Sequence, residues 1–466
     1  MISRRFVLGA GVVAGVAAPR MAFATQGQAL SADLVSALAQ EVQGKLTVGG
    51  AIVAVRYGQT LGQYFWGNAS LPFEQPVDSR TLFHMGSNGK LVTAVAAMQL
   101  LRASGHSVET PVGDLLPNLP PIIAQIPIDR LMSHTSGLPD YSQTLTDWDR
   151  PQPRDAVEKA IADAPRAFNV GEAWSYCNSN YVVLAWLIEH LSGQPYADYL
   201  ASRVFGPAGT PTARADSAAV PIRHRAEPYE ISADSVITHA VRMEDGVSRA
   251  GDGGILMSAG DVAPWRQALT SNRLLPAEDM ARINAVTRLK TGRCVPYGFG
   301  TFSEVRNGRQ ILHHSGGVPG FMSFWRTWPD TGLSIWAVSN SIGPSSRRPN
   351  LTKMIYTMAE GLEPGRIQPA TNLGDGTDER SQTLLRVMTR GEGVPVGEGI
   401  LAPEQTALGR ASIPRASKDA TIQPLESWLV GDGPAEGEIV RYRVTDAGRQ
   451  WELAIGWTPD NRIYWT

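Results

Sequence analysis

Ser87 and Lys90 stand three residues apart in Ser87-Asn88-Gly89-Lys90. On a helix that spacing puts both side chains on one face, one turn from each other. An amine held beside a hydroxyl is one way to activate a weak oxygen nucleophile. The run from Leu91 to Leu101 is apolar nearly all round, which predicts a buried helix. Ser87 at its start would meet free backbone N–H groups and the positive end of the helix dipole, a setting that stabilises an oxyanion. Serine is also a common N-cap, and a first-turn lysine is often only a solvated side chain. Two features favour chemistry. The chain has six lysines (45, 90, 159, 290, 353 and 418), and Lys90 alone has a serine three residues before it. A lysine beside an apolar run would also be costly to bury without a partner.

Two further clusters carry reactive types. Tyr176-Cys177-Asn178 precedes a long helical pattern, and Tyr176 is the only tyrosine with asparagine two positions on. A phenol near a lysine ammonium would have its pKa lowered and could shuttle a proton, while an amide can hold a substrate carbonyl. Alone, the tripeptide reads equally as a structural turn. His314-Ser315-Gly316-Gly317 falls on a predicted strand. Glycines there let a substrate or a second backbone approach closely, or mark a bulge.

The elements that must position these groups follow from periodicity. Residues 30–45 read as a helix, and 50–57 with 61–67 as a hairpin joined at Gly58-Gln59-Thr60. Residues 105–250 are rich in helical patterns and Pro/Gly turns. Strand patterns return at Tyr297–Val305, Gln310–His314, Ser323–Trp328 and Leu333–Ser339, before a helix over 350–362. Strands that open and close the unit around a helical insertion predict an α+β fold, an antiparallel sheet flanked by helices with a helical subdomain. A cleft is expected at their junction. Residues 366–376 read as a linker. Residues 377–466 form a small C-terminal α+β domain, with a helix over 378–391 and strands at Glu438–Val444, Gln450–Trp457 and Arg462–Trp465.

Composition narrows the function classes. The net charge of −2 includes Arg4, Arg5 and Arg20, so a chain without residues 1–24 is more acidic still. Without basic runs it is a poor candidate for nucleic acid or anionic membrane. Ser3-Arg4-Arg5-Phe6-Val7-Leu8, a short apolar stretch and Ala22-Phe23-Ala24 read in order as a twin-arginine export signal over residues 1–24. The apolar stretch is too short to span a bilayer. The expectation is a periplasmic or secreted protein without a stable membrane anchor after signal removal. Cys177 and Cys294 could pair, but two cysteines make no disulfide framework. The histidines show no metal-ligand spacing, so neither metal nor cofactor is expected.

Taken together, the three clusters resemble the serine β-lactamase and penicillin-binding-protein superfamily, specifically its class C-type branch. That branch includes D-alanyl-D-alanine carboxypeptidases, D-aminopeptidases and esterases. Its Ser-x-x-Lys, Tyr-x-Asn and Lys/His-x-Gly motifs occur here in order. Connecting phrases match too: Leu131-Met132-Ser133-His134-Thr135-Ser136-Gly137-Leu138-Pro139, Gly253-Gly254-Ile255-Leu256-Met257-Ser258, Tyr297-Gly298-Phe299-Gly300 and Val338-Ser339-Asn340. The likeness spans roughly residues 30–362 and implies a catalytic domain over 25–365. It implies that Ser87 attacks a carbonyl to form an acyl-enzyme, with Lys90 and Tyr176 handling protons. Asn178, His314 and Gly316 would bind substrate, and the backbone N–H groups of Ser87 and Gly317 would form the oxyanion hole. His314 would support Tyr176 or bind substrate. Cys177 departs from the usual serine and is exposed to oxidation if reactive. His314 in place of lysine removes a fixed positive charge, which argues against strong β-lactamase activity. Lys290-Thr291-Gly292 spells the third motif but precedes Tyr297-Gly298-Phe299-Gly300, so it is read as a surface loop. The C-terminal domain resembles nuclear-transport-factor-two-like domains, with a lipocalin-like barrel as the alternative.

The leading expectation is an exported serine hydrolase that cleaves a small peptide or ester, D-alanyl-D-alanine carboxypeptidase-like or esterase-like. A class C-type β-lactamase and a catalytically silent scaffold on the same fold are the alternatives. A nucleophile-elbow hydrolase is disfavoured, because the chain has no Gly-x-Ser-x-Gly.

Overall fold

The computed structural model describes residues 30–147, 150, 152–217, 219–242, 251–345, 347–365, 373–389, 402, 413–431 and 437–466. The sequence reading of residues 1–24 as an export signal lies outside them, as does most of the proposed linker.

Helix α1 (Ala32–Val42) is capped by the Ser31 side chain, which accepts from the Leu34 N–H. The hairpin β1 (Gly49–Arg56) and β2 (Gln59–Ser70) follows. Further strands β3 (Phe302–Arg306), β4 (Arg309–Val318), β5 (Phe321–Trp328) and β6 (Leu333–Ser339) complete one antiparallel sheet. Its order is β3-β4-β5-β6-β1-β2, ending in the short strand Gln75–Pro76. β1 is therefore central although it comes first in the chain. It is buried on both faces, and period-two alternation divides its side chains between two cores. Ala51, Val53 and Val55 join the core shared with the helical subdomain. Ile52 and Ala54 join the second core, with Leu34 and Leu38 of α1 and Met354, Ile355 and Met358 of the closing helix Leu351–Leu362.

Helix α2 (Lys90–Ser104) starts directly after the 3₁₀ turn Gly86–Gly89, so Ser87 lies on that turn and not in the α-helix proper. α2 is buried from Val92 to Met98 and ends at Gly105 in the left-handed conformation. It packs in the same core as α3 (Ser179–Ser192). Helix α4 (Ala259–Thr270) packs on β1 and β2, and α5 (Ala277–Asn284) packs on α4 and α2.

One expected strand is shorter than its pattern suggests. Tyr297–Gly300 turns instead of extending: the Gly298 N–H bonds Thr301 O at 2.8 Å, and Gly300 has φ +78°. A side chain on Gly300 would lie 2.8 Å from the Leu91 backbone nitrogen, so this turn seats against the first residues of α2.

The C-terminal region has a helix, Glu379–Thr389, on an open antiparallel meander of Thr421–Leu429, Glu438–Asp446, Arg449–Trp457 and Ile463–Trp465. The first of these strands escaped sequence reading. Pro424 interrupts its pattern, and a register shift between Pro424 and Glu426 breaks the alternation. The sheet packs on the preceding unit: Trp465 lies 6.1 Å from Trp174, and the Tyr464 hydroxyl donates to Cys294 O.

Candidate active site

The turn that carries Ser87 is held from three sides. Gly86 has φ +52°, and its N–H donates to Nδ1 of buried His84 at 3.0 Å. His84 is neutral there, because burial pushes its pKa down to about 4. Asn88 donates to Ser323 Oγ at 2.6 Å, and Ser323 in turn donates to Met85 O at 2.6 Å. β5 is thereby tied to the backbone on either side of Ser87. Gly89 is pressed by Gly253 O, which would lie 2.7 Å from any Cβ.

Lys90 is fully buried, and its Nζ has three acceptors. They are Ser87 Oγ at 3.2 Å, Asn178 Oδ1 at 2.9 Å and Asp252 O at 2.5 Å. An ammonium has three donors, so this set satisfies a charged lysine. Asn178 is itself fixed, since its Nδ2 and its backbone N–H both donate to Asp140 Oδ2, at 3.2 and 3.0 Å. Its carboxamide thus bridges Lys90 to Asp140. The Asp252 carboxylate accepts from the Tyr141 hydroxyl at 3.0 Å.

Tyr176 packs its ring 4.9 Å from Lys90 Nζ and 4.3 Å from the His134 ring. Its hydroxyl is buried and makes no ordinary hydrogen bond among the described residues. The expected lowering of its pKa is reversed. Burial raises it, and the nearby Lys90 and Ser87 only partly offset that, so the resting phenol is protonated.

His134 has φ +59° and is fully buried. Its Nδ1 accepts from the Cys177 N–H and from Asn180 Nδ2, both at 3.1 Å, which anchors the Tyr176-Cys177-Asn178 segment. Cys177 points its thiol at Leu138 O, and burial pushes its pKa up to about 12. It is a protonated, inert thiol, and no disulfide joins Cys177 to Cys294.

The His314–Gly317 segment lies in strand β4 without a bulge, with Gly316 opposite Ser323 and Gly317 opposite Met322. A Cβ on Gly316 would fall 2.0 Å from Met85 O, so the close approach expected of this glycine is to the Ser87 turn. A Cβ on Gly317 would meet nothing within 4 Å, whereas its nitrogen lies 2.8 Å from the position of a Cβ on Gly86. The N–H of Gly317 is therefore beside the Ser87 turn. His314 bonds Ser315 O through Nδ1 at 2.6 Å and Tyr297 through Nε2 at 3.1 Å. Burial, aided by Lys90, pushes its pKa down to about 3, so it is neutral and brings no cation to the site. Lys290 is exposed on the turn between Thr287–Arg288 and Cys294–Val295, its N–H bonded to Gly171 O.

Of the sequence candidates, Ser87, Lys90, Tyr176 and Asn178 converge around one ammonium, and Gly316 and Gly317 lie against the same turn. Sequence reasoning missed His84, Asp140, Asp252, Tyr297 and Ser323 as supports. The signal was partial: Asp140 follows the phrase ending at Pro139, Asp252 precedes Gly253-Gly254, and Tyr297 opens a quoted phrase.

The beta-lactamase family profile matches residues 34–356, more than half of the chain. The chain belongs to the beta-lactamase family. Penicillin-binding protein 4* of Bacillus subtilis (strain 168) is 29% identical over 312 residues, covering 62% of this chain and 68% of that protein. A D-aminopeptidase of Cereibacter sphaeroides (strain KD131) is 25% identical over 380 residues, 79% of this chain and 71% of that one. Among solved structures, the D-amino acid amidase of Ochrobactrum anthropi SV3 complexed with D-phenylalanine has a TM-score of 0.62 at 21% identity, covering 72% of this chain and all of that one. The octameric penicillin-binding protein homologue of Pyrococcus abyssi also gives 0.62, at 19% identity, over 92% of this chain and 94% of that one. These likenesses bear out the α+β fold. As a beta-lactamase-family member this chain is a serine hydrolase. No helix among the described residues is long and apolar enough to cross a membrane.

Proposed function

We propose that this protein is an exported hydrolase of small D-amino-acid amides or peptides, acting through an acyl-enzyme on Ser87. The observation that carries the reading is the single ammonium of Lys90 bonded at once to Ser87 Oγ and Asn178 Oδ1, with the Tyr176 ring against it. In the first half-reaction Ser87 Oγ bonds to the substrate carbonyl carbon. Its proton passes to the Lys90–Tyr176 pair, which must first have lost one proton from its resting ammonium-and-phenol state. The oxyanion accepts from the N–H groups of Ser87 and Gly317. The C–N bond then breaks, and the leaving amine takes the proton back from the pair. In the second half-reaction water gives a proton to the pair and attacks the Ser87 ester, releasing the acid and restoring the hydroxyl.

The D-amino-acid preference rests on the similarity to D-aminopeptidases and to the D-amino acid amidase. Neutral His314, in place of a cationic lysine, supports amide or peptide substrates over those anchored by a carboxylate. The C-terminal meander serves as a prop behind the Trp174–Tyr176 wall through Trp465. Export rests on the order of the signal elements in residues 1–24.

The test is hydrolysis of D- and L-alanine p-nitroanilide by the wild type and by Ser87→Ala. The expected result is D-selective release of p-nitroaniline by the wild type only, with unchanged circular dichroism in the variant. Turnover by Ser87→Ala refutes the mechanism, and L-selective turnover refutes the substrate class.

A further inference from the structure

A cavity lies against the Ser87 turn, with Asn88 and His314 in its lining. It has a volume of about 310 Å³ and is enclosed by α2, α4, α5, β4 and β5. Leu91, Leu269, Met280 and Trp325 give it apolar walls. Two polar groups face no partner. The guanidinium of Arg266 stacks on Trp325 at 5.1 Å and makes no ion pair or hydrogen bond among the described residues. Thr301 is 6% exposed, and its Oγ1 is a buried oxygen with no hydrogen bond. No aspartate or glutamate lines the cavity. The nearby acids of α5, Glu278 and Asp279, are both engaged by Arg102. His313, on the rim, faces Glu304 at 3.5 Å.

Arg266 is half-buried, and with no carboxylate beside it its guanidinium gives up part of its water for an apolar wall and gains no ion pair back. Burial also pushes its pKa down to about 10. A guanidinium matches a carboxylate in a planar, two-bond geometry. The cavity is about twice the roughly 150 Å³ that accommodates benzene, so it has room for one aromatic ring and an acid group. An apolar chamber with a few convergent polar groups is how small-molecule sites are built.

We propose that this cavity binds a small apolar-bodied carboxylate, its acid group on Arg266 and Thr301 and its body against Leu91, Met280 and Trp325. Asn88 and His314 line the same cavity, so an occupant rests against the back of the nucleophile turn and of the third-motif strand. Binding there does not depend on the substrate assigned to the catalytic cleft.

The experiment is calorimetric titration of the wild-type chain with phenylacetate, and with phenylacetamide as the neutral isostere. The expected result is one saturable site with a Kd of about 1 mM or tighter for the acid, and binding weaker by roughly ten- to hundredfold for the amide. Arg266→Met, which removes the guanidinium and keeps an unbranched apolar side chain, should weaken phenylacetate by a similar factor. Ala281→Phe, at an exposed lining position, should obstruct the cavity and weaken both probes. Both variants should retain the wild-type melting temperature and hydrolytic rate. Equal affinity for acid and amide overturns the proposal, as does binding retained in both variants. Absence of saturable heat up to about 10 mM phenylacetate also overturns it.

Discussion

Gly316 and Gly317 are neighbours in one strand, yet alanine should be disastrous at the first and mild at the second. Neither has a left-handed φ, so the contrast is purely steric. A Cβ on Gly316 would sit 2.0 Å from Met85 O and 2.7 Å from Ser323 Oγ. Ordinary contact begins at 3.4 Å, so β4 and the turn must separate by about 1.4 Å. Met85 O cannot yield alone. It accepts from Ser323, which accepts from Asn88, and Met85 and Asn88 bracket Gly86 and Ser87. Overpacking of this kind costs about 3 kcal/mol, at the upper end of measured insertions into cores. Misplacing a nucleophile by about 1 Å costs on the order of 10² in rate. Gly316→Ala should therefore lose about 3 kcal/mol of stability and about a hundredfold in kcat/KM. Gly317→Ala meets nothing within 4 Å and should melt with the wild type, its kcat/KM reduced by less than about tenfold. Thermal unfolding by circular dichroism and steady-state hydrolysis of D-alanine p-nitroanilide read both quantities. A Gly316→Ala protein with wild-type stability and rate refutes the reasoning, and so does a Gly317→Ala protein that loses as much.

Other consequences are open to direct measurement. Burial holds His84 and His314 at about 4 and about 3, against 6.5 in the unfolded chain, so unfolding takes up protons below pH 6.5. Stability should be full above pH 6.5 and fall from there toward pH 4, by about 3 kcal/mol from His84 alone; urea midpoints that stay flat over that range would contradict the burial argument. Because burial raises the Tyr176 phenol above its ordinary 10, and the pair must shed a proton to act, kcat/KM should go on climbing with pH to at least pH 10. A profile already level at pH 7 would mean the pair is deprotonated at rest. Asn340 places its Nδ2 within 3.2 Å of Asn68 O, Ala69 O and Glu227 O, tying β2 to the segment before the short strand Tyr229–Ile231. Asn340→Ala should cost about 2–4 kcal/mol by leaving buried carbonyls unpaired, and denaturant melts showing less than about 0.5 kcal/mol would remove it as a structural tie.

The hairpin, the closing strands and the helix after Ser87 were legible because each is long and strongly periodic. β1 is the clearest instance, its odd and even residues already sorted for two different cores. Lys90 was legible by type and spacing, since a lone lysine before an apolar run implies partners for its charge. Thr421–Leu429 was not legible, because a proline and a register shift hide its period. Nor was the electrostatic sign at Tyr176. The sequence implies a cation beside a phenol, but whether attraction or desolvation prevails depends on how completely the ring is buried.

From the sequence alone come the family likeness, Ser87 and Lys90 as the candidate nucleophile and its lysine, the α+β plan, and the reading of Lys290 as a surface loop. Those depend on local type, order and period, which are properties of the chain. The tertiary structure alone decided that Asn178 is shared between Lys90 and Asp140, that Asp252 lends a backbone oxygen to the ammonium, and that His314 is neutral. It also decided that Gly316 and Gly317 differ, although their letters are the same. Each of these is settled by a contact between segments 38 to 238 residues apart, or by the burial those contacts create. Distance and desolvation exist only once the chain has closed on itself.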